Sequence, residues 1–302
     1  MELRHLRYFI AVAETGSLTE AAEQRLFTSQ PSLSRQIRDL EDQVGVELLS
    51  RSARGVELTA AGQAFIDHAR LALHQVDAAV EAARRAALPA KQRLALGFLT
   101  GQEMHWLPKA MALLREELPG IEVTVSSDYS TDLAAALARG RLDAAFMRAE
   151  PDHGLSYVTV AREALVVLMP SDHPLAAQQA IRPQDLLDQN FIGMAAKARV
   201  LRSVIDRYLE AIGMHLAPTQ EVDNPAMVMS LVASTRALAL IPAYLENLLP
   251  WSVVSRPLAG TAPTIDLSLG YSESNPSSVL KLFLSRLSEL AELPPGGAGP
   301  RQ

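Results

Sequence analysis

The stretch at residues 28–44, TSQPSLSRQIRDLEDQV, constrains this chain more than any other part of its sequence. Its apolar residues recur at spacings of four and three positions, which predicts an α-helix with one buried face. They are Leu33, Ile37, Leu40 and Val44. Ser29 is a suitable N-cap, and Pro31 fits the first helical turn, where its missing N–H costs nothing. The stretch therefore predicts a helix with a defined start and a defined polar side.

The polar side of this helix has the composition of a surface that reads DNA. It carries Gln30, Ser32, Ser34, Arg35 and Arg38. Glutamine and arginine bind base edges in the major groove, whereas serine and arginine also bind phosphates. Taken alone, the pattern also fits an ordinary amphipathic helix with a solvated face. The flanking sequence favours the DNA-reading interpretation.

Two shorter helices precede this one. Residues 3–14 predict the first helix, which Gly16 ends. Ser17 followed by Glu20 is a capping-box pattern, and it predicts the start of a second helix at 18–26. Three helices of this size and spacing predict a helix-turn-helix unit.

A short hairpin is predicted directly after the third helix. Residues 47–49 and 56–58 are typical of two strands, and the turn region between them carries Arg51 and Arg54. An arginine on such a wing suits a narrow minor groove, where the electrostatic potential is most negative. The alternative is a surface hairpin with incidental charge, but its position after a recognition helix favours a wing.

A long alanine-rich helix is predicted at 59–88, and Pro89 ends it. Its apolar residues alternate steps of four and three, which is a heptad seam. The seam consists of Phe65, Ala69, Ala72, Val76, Ala79, Ala83 and Ala86. Because the helix is too long for the small N-terminal core, we expect it to pair with a copy of itself. A dimer of this kind places two recognition helices on two half-sites.

After residue 92 the sequence alternates strands with helices. The predicted strands are 93–99, 121–127, 142–148, 164–169, 191–194, 237–241, 253–256 and 265–271. The predicted helices are 107–118, 131–139, 201–212, 225–233, 243–249 and 279–290. This alternation predicts a parallel sheet with right-handed crossovers. So many strands predict two α/β lobes, with a ligand crevice at the carboxyl ends of the strands.

Composition excludes several classes of protein. The chain has no cysteine, which excludes disulfides, thiolate zinc sites and iron–sulfur clusters. No signal peptide and no apolar run of about 18 residues is present, so we expect a cytoplasmic protein without a membrane partner. We also expect no cofactor. The net charge of −6 does not oppose DNA binding, because three arginines and no acid lie between Gln24 and Arg38.

The chain resembles the LysR-type transcriptional regulators along nearly its whole length. The N-terminal segments that carry the resemblance are MELRHLRYFIAVAE, AAEQRLFTSQPSLSRQIRDLEDQVGVELLSR and LTAAG. The C-terminal segments are LGFL, LPK, ELPGIEV, RGRLDAAF, LVVLMPSDHPLA and ALIPAY. The segments MELRHLRYF, TSQPSLSRQIRDLE and RPLAG..P resemble the subgroup that senses aromatic acids such as phenylpropionate, cinnamate, benzoate or muconate.

The resemblance implies an α plus α/β architecture in several parts. These are a winged helix-turn-helix at 1–58, a linker and dimerisation helix at 59–89, and an effector domain like a periplasmic binding protein at 90–293. The tail at 294–302, PPGGAGPRQ, is expected to be disordered from its own composition. Within the effector domain, lobe I comprises 90–162 and 267–293, and lobe II comprises 163–266. The family implies an activator or repressor that binds double-stranded promoter DNA as a homodimer or homotetramer and bends it according to effector binding. RNA polymerase is a further candidate partner.

The same resemblance selects candidate site residues. Carried over from the family, Gln30, Pro31, Ser34 and Arg35 would face bases and phosphate in the major groove, and Arg54 would enter the minor groove. The polar face of the helix and the wing add Ser29, Ser32, Arg38 and Arg51 to the candidate DNA-binding residues. For the effector, the family's contact positions match Gly101, Ser130, Arg199 and Leu201. Because a carboxylate ligand is bound by hydroxyls, cations and helix N-termini, we add Thr100, Thr131, Arg148 and Lys197.

Two segments depart from the family pattern and leave alternatives open. Thr235, Arg236 and Ala237 stand where relatives carry glycines, which are favoured if a turn needs positive φ. The segment AAKARV after Met194 replaces one that usually contains proline. A constitutive regulator without ligand sensing is therefore one alternative. A transporter's solute-binding protein and an enzyme are others, but the first 88 residues would then have no role, and the sequence carries no catalytic motif.

Overall fold

The computed structural model describes residues 1–52, 55–86, 92–187 and 189–291. Contacts divide the chain into two compact units, the first formed chiefly by residues before 87 and the second chiefly by residues after 91. Within the described ranges, none of the helices combines the length and hydrophobicity that a membrane crossing requires.

The first unit is a three-helix core followed by a wing. Helix α1 spans Leu3–Thr15, α2 spans Leu18–Glu20 and continues as a π-helical segment at Ala21–Arg25, and α3 spans Gln30–Val44. The second predicted helix is thus mostly π-helical, a form that a sequence period does not distinguish from an α-helix. The predicted apolar face of α3 packs into the core, where Leu33, Ile37 and Leu40 are fully buried.

The wing is attached to the helices by specific contacts. Its strands are β1, Leu49–Ser52, and β2, Gly55–Leu58, which pair antiparallel. The Glu41 carboxylate on α3 accepts the backbone N–H groups of Leu48 and Leu49 at 2.9 and 3.0 Å. Gly62 is required nearby, because a Cβ there would lie 2.0 Å from the Leu48 carbonyl oxygen. These contacts fix the wing relative to the recognition helix.

Helix α4 spans Ala60–Ala86 and contributes its first turns to the same core. Ile66 and Ala69 are buried, and the Phe65 ring packs edge-on against Phe9 at 5.4 Å. Further along the predicted seam, Val76 is half-buried and Ala79 is exposed. The core of the first unit therefore covers only the beginning of this helix.

The second unit contains the remaining elements. Its helices are α5 at Glu103–Leu113, α6 at Ser130–Ala138, α7 at Arg199–Ala211, α8 at Pro225–Thr235 and α9 at Ser278–Ser285. Its strands β3 to β6 are Gln92–Leu99, Ile121–Asp128, Ala144–Met147 and Ser156–Pro170. Strands β7 to β11 are Phe191–Met194, Gln220–Val222, Leu238–Pro242, Val253–Pro257 and Thr264–Tyr271.

These strands form one mixed sheet with two lobes. In the described residues the order is β4-β3-β5-β11-β6-β9-β7-β8, and β10 also pairs with β6. We call the β3, β4, β5 and β11 part lobe I, and the β7 to β10 part lobe II. The sheet is not parallel throughout, as the alternation predicted, because β6 and β11 run antiparallel to their neighbours. The parallel pairs are β3 with β4 and β5, and β7 with β8 and β9.

Several predicted bounds in this unit were wrong. The helix predicted at 107–118 is α5, which begins at Glu103 and ends at Leu113. The strand predicted at 164–169 is the second half of β6, a strand of 15 residues. Strand β8 was not predicted. The helices predicted at 243–249 and at the end of 279–290 are 3-10 helical, at Ala243–Leu248 and Leu287–Ala291.

Arg236 stands where relatives of this chain carry a glycine, and the structure shows the backbone conformation of this residue. Arg236 ends α8 with φ of 56° and ψ of 25°, the left-handed conformation that glycine usually supplies. Its guanidinium Nη1 contacts both carboxylate oxygens of Asp172, at 3.0 and 2.8 Å. The turn does need positive φ, and an arginine adopts it.

Candidate DNA interface and ligand-binding cleft

The N-terminal half of α3 presents most of the predicted DNA-reading residues to solvent. Ser29, Pro31, Ser32, Arg35 and Arg38 are exposed, and Gln30 is half-buried at the first helical position. Ser29 has the extended backbone of an N-cap, but its side chain makes no capping hydrogen bond. The N-terminal end of the helix thus combines exposed hydrogen-bonding groups with two cations, as a groove-binding helix requires.

Ser34 differs from its prediction as a surface residue of this face. It is 5% exposed, and its hydroxyl accepts hydrogen bonds from Arg51 Nη1 at 3.1 Å and Arg38 Nη2 at 3.4 Å. Helical periodicity placed it on the polar side, but the wing covers it. Its structural role is to hold two arginines of the candidate DNA interface, one on the helix and one on β1.

The wing presents Arg51 beside the recognition helix. Arg51 is exposed on β1, and the wing is also tied to α1 because the Val56 N–H donates to the Gly16 carbonyl oxygen at 2.8 Å. Arg54, the other predicted wing residue, lies outside the described residues. The recognition helix and the wing therefore share one cationic edge.

A cleft lies between the two lobes of the second unit. Lobe I contributes Leu99, Thr100, Tyr129, Ser130, Arg148 and Glu150 to its wall. Lobe II contributes Met194, Lys197, Ala198, Arg199, Val200, Leu201, Asp223, Asn224, Pro225, Val228, Ile241, Pro242, Tyr244 and Leu245. The wall is mainly apolar with a few charged groups, which is the usual composition of a small-molecule site.

Three helices begin at this cleft. Helix α6 starts at Ser130, α7 at Arg199 and α8 at Pro225, and each start lines the wall. The Asn224 side chain caps α8 by accepting the Met227 N–H at 2.8 Å. Because N-terminal N–H groups and the helix dipole favour negative charge, this convergence favours an anionic ligand.

Six of the eight predicted effector residues line the cleft: Thr100, Ser130, Arg148, Lys197, Arg199 and Leu201. The other two, Gly101 and Thr131, are not among its described lining residues. The Gly101 N–H donates to Glu103 Oε2 at 2.8 Å, and its φ is 90°. A Cβ at Gly101 would lie 3.2 Å from Tyr244, so this glycine lets the chain pass close to a cleft residue.

Arg148 is the most buried cation of the cleft wall. It is 4% exposed, its Nη2 donates to Glu163 Oε2 at 2.6 Å, and its backbone N–H donates to Ser130 Oγ at 3.0 Å. Its Nη1 is buried and has no hydrogen-bond partner within the described part of the chain. A buried guanidinium donor without a partner is costly, so this atom is suited to receive an acceptor from a ligand.

The other two cations of the wall form ion pairs across the cleft. Arg199 of lobe II pairs with Glu150 of lobe I, through Nε at 2.5 Å and also through Nη2. Lys197 of lobe II pairs with Asp132 of lobe I at 2.9 Å, and its Nζ lies 4.1 Å from the Tyr129 ring centre. The sequence placed both cations at a helix start but did not identify these partners.

Hydrogen bonding and burial set the charge state of two groups here. The hydrogen bond to Asp132 raises the pKa of Lys197, which keeps the ammonium charged at neutral pH. Partial burial, followed by the negative charge of Asp223, raises the pKa of Tyr129, which keeps the phenol neutral. A third contact between the lobes is uncharged, because the Tyr244 hydroxyl donates to the Thr100 carbonyl oxygen at 3.1 Å.

Several cleft residues were missed by the sequence reasoning. Glu150 follows β5 by three positions and Tyr129 follows β4 directly, so the rule that ligands bind at strand carboxyl ends could have found both. Asn224 before Pro225 is a recognisable helix start. No sequence signal identifies Tyr244, which reaches the cleft from a 3-10 helix. In the described residues no group of three His, Asp or Glu side chains is arranged to hold a metal ion.

Both units match described protein families. Residues 3–63 match the bacterial regulatory helix-turn-helix protein of the lysR family, and residues 89–292 match the LysR substrate binding domain. The chain is 37% identical to the Hca operon transcriptional activator HcaR of Escherichia coli K12, over 96% of this chain and 98% of that protein. It is 31% identical to the regulator BenM of Acinetobacter baylyi, over 82% of each chain.

Solved structures agree with these matches. Full-length CbnR in complex with its target DNA superposes with a TM-score of 0.57 at 26% identity, covering 96% of this chain and all of that one. Full-length BenM gives a TM-score of 0.59 at 25% identity, covering all of both chains. The predicted family and fold class are thereby confirmed. The chain belongs to the LysR family of DNA-binding transcriptional regulators, with an N-terminal helix-turn-helix and a C-terminal effector-binding domain, and it is not an enzyme.

Proposed function

We propose that this regulator responds to a small aromatic carboxylate that binds in the cleft between the lobes. The observation that carries the proposal is that three helix N-termini converge on a mainly apolar wall beside Arg148 Nη1, which has no hydrogen-bond partner among the described residues. An anionic group satisfies the polar end, and an aromatic ring packs on the apolar residues. The sequence resemblance to aromatic-acid sensors supports the same class of ligand.

The proposed DNA contacts follow from the first unit. Gln30, Pro31, Ser32 and Arg35 meet the major groove, and Arg51 binds backbone or minor groove beside the helix. Ser34 acts through the arginines that it holds. Arg54 remains a sequence-based proposal for the minor groove.

Oligomerisation is part of the proposed mechanism. The apolar seam of α4 continues beyond the part that the core of the first unit covers, so a second copy pairs along it. Pairing presents two recognition helices to two half-sites, and a dimer of dimers bends the promoter. A variant with glutamate at the exposed seam positions Ala79 and Ala83, which keeps the buried Ile66 and Ala69, should sediment as a monomer and bind half-sites poorly. A stable dimer from that variant contradicts this proposal.

A thermal-shift screen of the full-length protein tests the proposed ligand class. Benzoate, cinnamate and 3-phenylpropionate are compared with aliphatic acids of similar charge and with the matching uncharged amides. We expect the aromatic acids to raise the unfolding temperature, because ligand binding stabilises the native state by mass action. Equal shifts from the amides contradict a carboxylate site, and no shift from any acid contradicts the proposal as a whole.

A constitutive regulator is the second candidate, and one observation favours it. Two of the three cations in the cleft are already paired with carboxylates of the opposite lobe. If these pairs hold the lobes together permanently, operator affinity should be unaffected by any acid, and the thermal-shift screen should show none of the shifts described above.

A further inference from the structure

The three cations of the cleft wall differ in what surrounds them. The Arg148 side chain is 5% exposed, whereas the side chains of Arg199 and Lys197 are each 44% exposed. An interaction with Arg148 is therefore formed away from water, and interactions with the other two are screened by solvent. A ligand anion gains most at Arg148.

Each of these cations also has a carboxylate partner, but the partners are placed differently. Glu163, the partner of Arg148, engages Nη2 and leaves Nη1 buried without a partner in the described chain. Glu150 and Asp132 lie on the opposite lobe from the cations they pair with, so each pair spans the cleft. Asp223 adds another carboxylate to the wall.

We propose that Glu150 and Asp132 restrict the cleft to effectors with a single anionic group, which is anchored by Arg148. The inference rests on the proposed carboxylate effector and deepens it. Glu150 and Asp132 neutralise Arg199 and Lys197 from the facing lobe, so these cations hold the lobes together rather than bind the ligand. A second carboxylate on the ligand meets the negative charge of Glu150 and Asp223, which line the cleft, and has to displace an existing ion pair.

The structure thus assigns the effector as an aromatic monocarboxylate. Its carboxylate takes the place beside Arg148 Nη1 and the start of α6, and its ring lies against residues such as Val228 and Ile241. Dicarboxylates of similar length are disfavoured because like charges at contact distance disfavour ionisation and binding. Glu150 and Asp132 are specificity-determining residues on this account.

Calorimetric titration of the full-length protein tests this assignment. The probes are benzoate and 3-phenylpropionate as monoanions, and terephthalate and cis,cis-muconate as dianions. We expect the wild type to bind the preferred monoanion at least about tenfold more tightly than either dianion, a difference of about 1.4 kcal/mol. Arg148→Gln should lose about tenfold or more of monoanion affinity, while Lys197→Gln should change it less than about threefold.

Two substitutions remove the proposed restriction. Glu150→Gln and Asp132→Asn free one cation each and should raise dianion affinity several-fold, which is more than they raise monoanion affinity. Glu117→Gln is the matched control, because Glu117 forms an ion pair with Arg286 and does not line the cleft. Asp132 is 46% exposed at its side chain, so its variant tests the proposal even if the buried Glu150 tolerates no change.

The outcomes separate this inference from the function on which it rests. Dianions that bind the wild type as tightly as monoanions overturn the inference and leave a carboxylate-sensing regulator. Monoanion affinity that survives Arg148→Gln but not Lys197→Gln overturns it in the same way. If no acid of either class binds, the proposed function fails and the inference fails with it.

Discussion

The DNA-reading surface and the ligand cleft are built in opposite ways. The first comes from consecutive residues of one helix, Gln30–Val44, with one neighbouring hairpin. The wall of the second draws on residues from Leu99 to Leu245, brought together by a mixed sheet. A surface of the first kind is encoded by local periodicity, and one of the second kind by strand order. The two should therefore respond separately to substitution.

The largest difference between the effects on operator binding and on effector binding is expected from Leu33→Ala. Leu33 lies in the fully buried core of the first unit. Loss of this side chain should lower the free energy of unfolding of that unit by about 2–5 kcal/mol. Operator binding should weaken accordingly, whereas effector affinity should stay unchanged. Urea unfolding and ligand titration on the same preparation measure both effects. Leu33→Met is the volume-matched control, and an equal loss of effector affinity contradicts the separation.

A second test acts on DNA contact without touching the core. Arg35→Ala should reduce operator affinity by about 10- to 100-fold, because one good side chain–base pair contributes about 1–3 kcal/mol. Fluorescence anisotropy with operator and scrambled DNA distinguishes base reading from phosphate binding. Arg162→Ala, which removes an exposed arginine from lobe I, is the matched control. An unchanged affinity for Arg35→Ala means that this face of α3 does not read DNA.

A smaller effect on operator affinity is expected from substitution of Ser34, which is buried in the structure. Ser34→Ala should lower operator affinity by about three- to tenfold, because Arg51 and Arg38 lose a common hydrogen-bond acceptor worth about 1 kcal/mol. The salt dependence of operator affinity should be the same for Ser34→Ala as for the wild type, since no charge is lost. Ser32→Ala removes an exposed hydroxyl from the same helix, and its effect on operator affinity is compared with that of Ser34→Ala. A salt slope reduced by about one would indicate that an arginine had left the DNA.

The smallest effect is expected at Arg236. Arg236→Gly should stabilise the backbone of this turn by about 1 kcal/mol, because glycine adopts positive φ without strain. It also removes the partner of Asp172, whose pKa is lowered by its hydrogen bond to Arg236. A carboxyl with a lowered folded-state pKa contributes stability above about pH 4, and that contribution is lost as the pH falls. The stability of Arg236→Gly relative to the wild type should therefore increase from pH 7 to pH 3. Thermal unfolding of both proteins across this range measures the difference.

The sequence was most informative where structure is local. The buried stripe of α3 followed from its spacing, and the starts of α8 and β7 were placed at the observed residues. Helical spacing could not show that Ser34 is covered, because the residue that covers it, Arg51, lies 17 positions away on another element.

The cleft was less predictable for a physical reason. Charged residues at helix starts, such as Lys197 and Arg199, are visible in the sequence, but their partners depend on which strands become neighbours. The antiparallel direction of β6 and β11 was also missed, since strand–helix alternation fixes the direction only for strands joined by crossovers. Residues that act in pairs across two lobes therefore require the structure.

The long strand β6 determines how the effector domain can move. Its residues 156–164 pair with β11 in lobe I, and its residues 165–170 pair with β9 and β10 in lobe II, so no loop interrupts it between the lobes. Relative rotation of the lobes would therefore twist this hydrogen-bonded segment. A change in the angle between the lobes would therefore be a change in the twist of β6 where its pairing passes from β11 to β9 and β10.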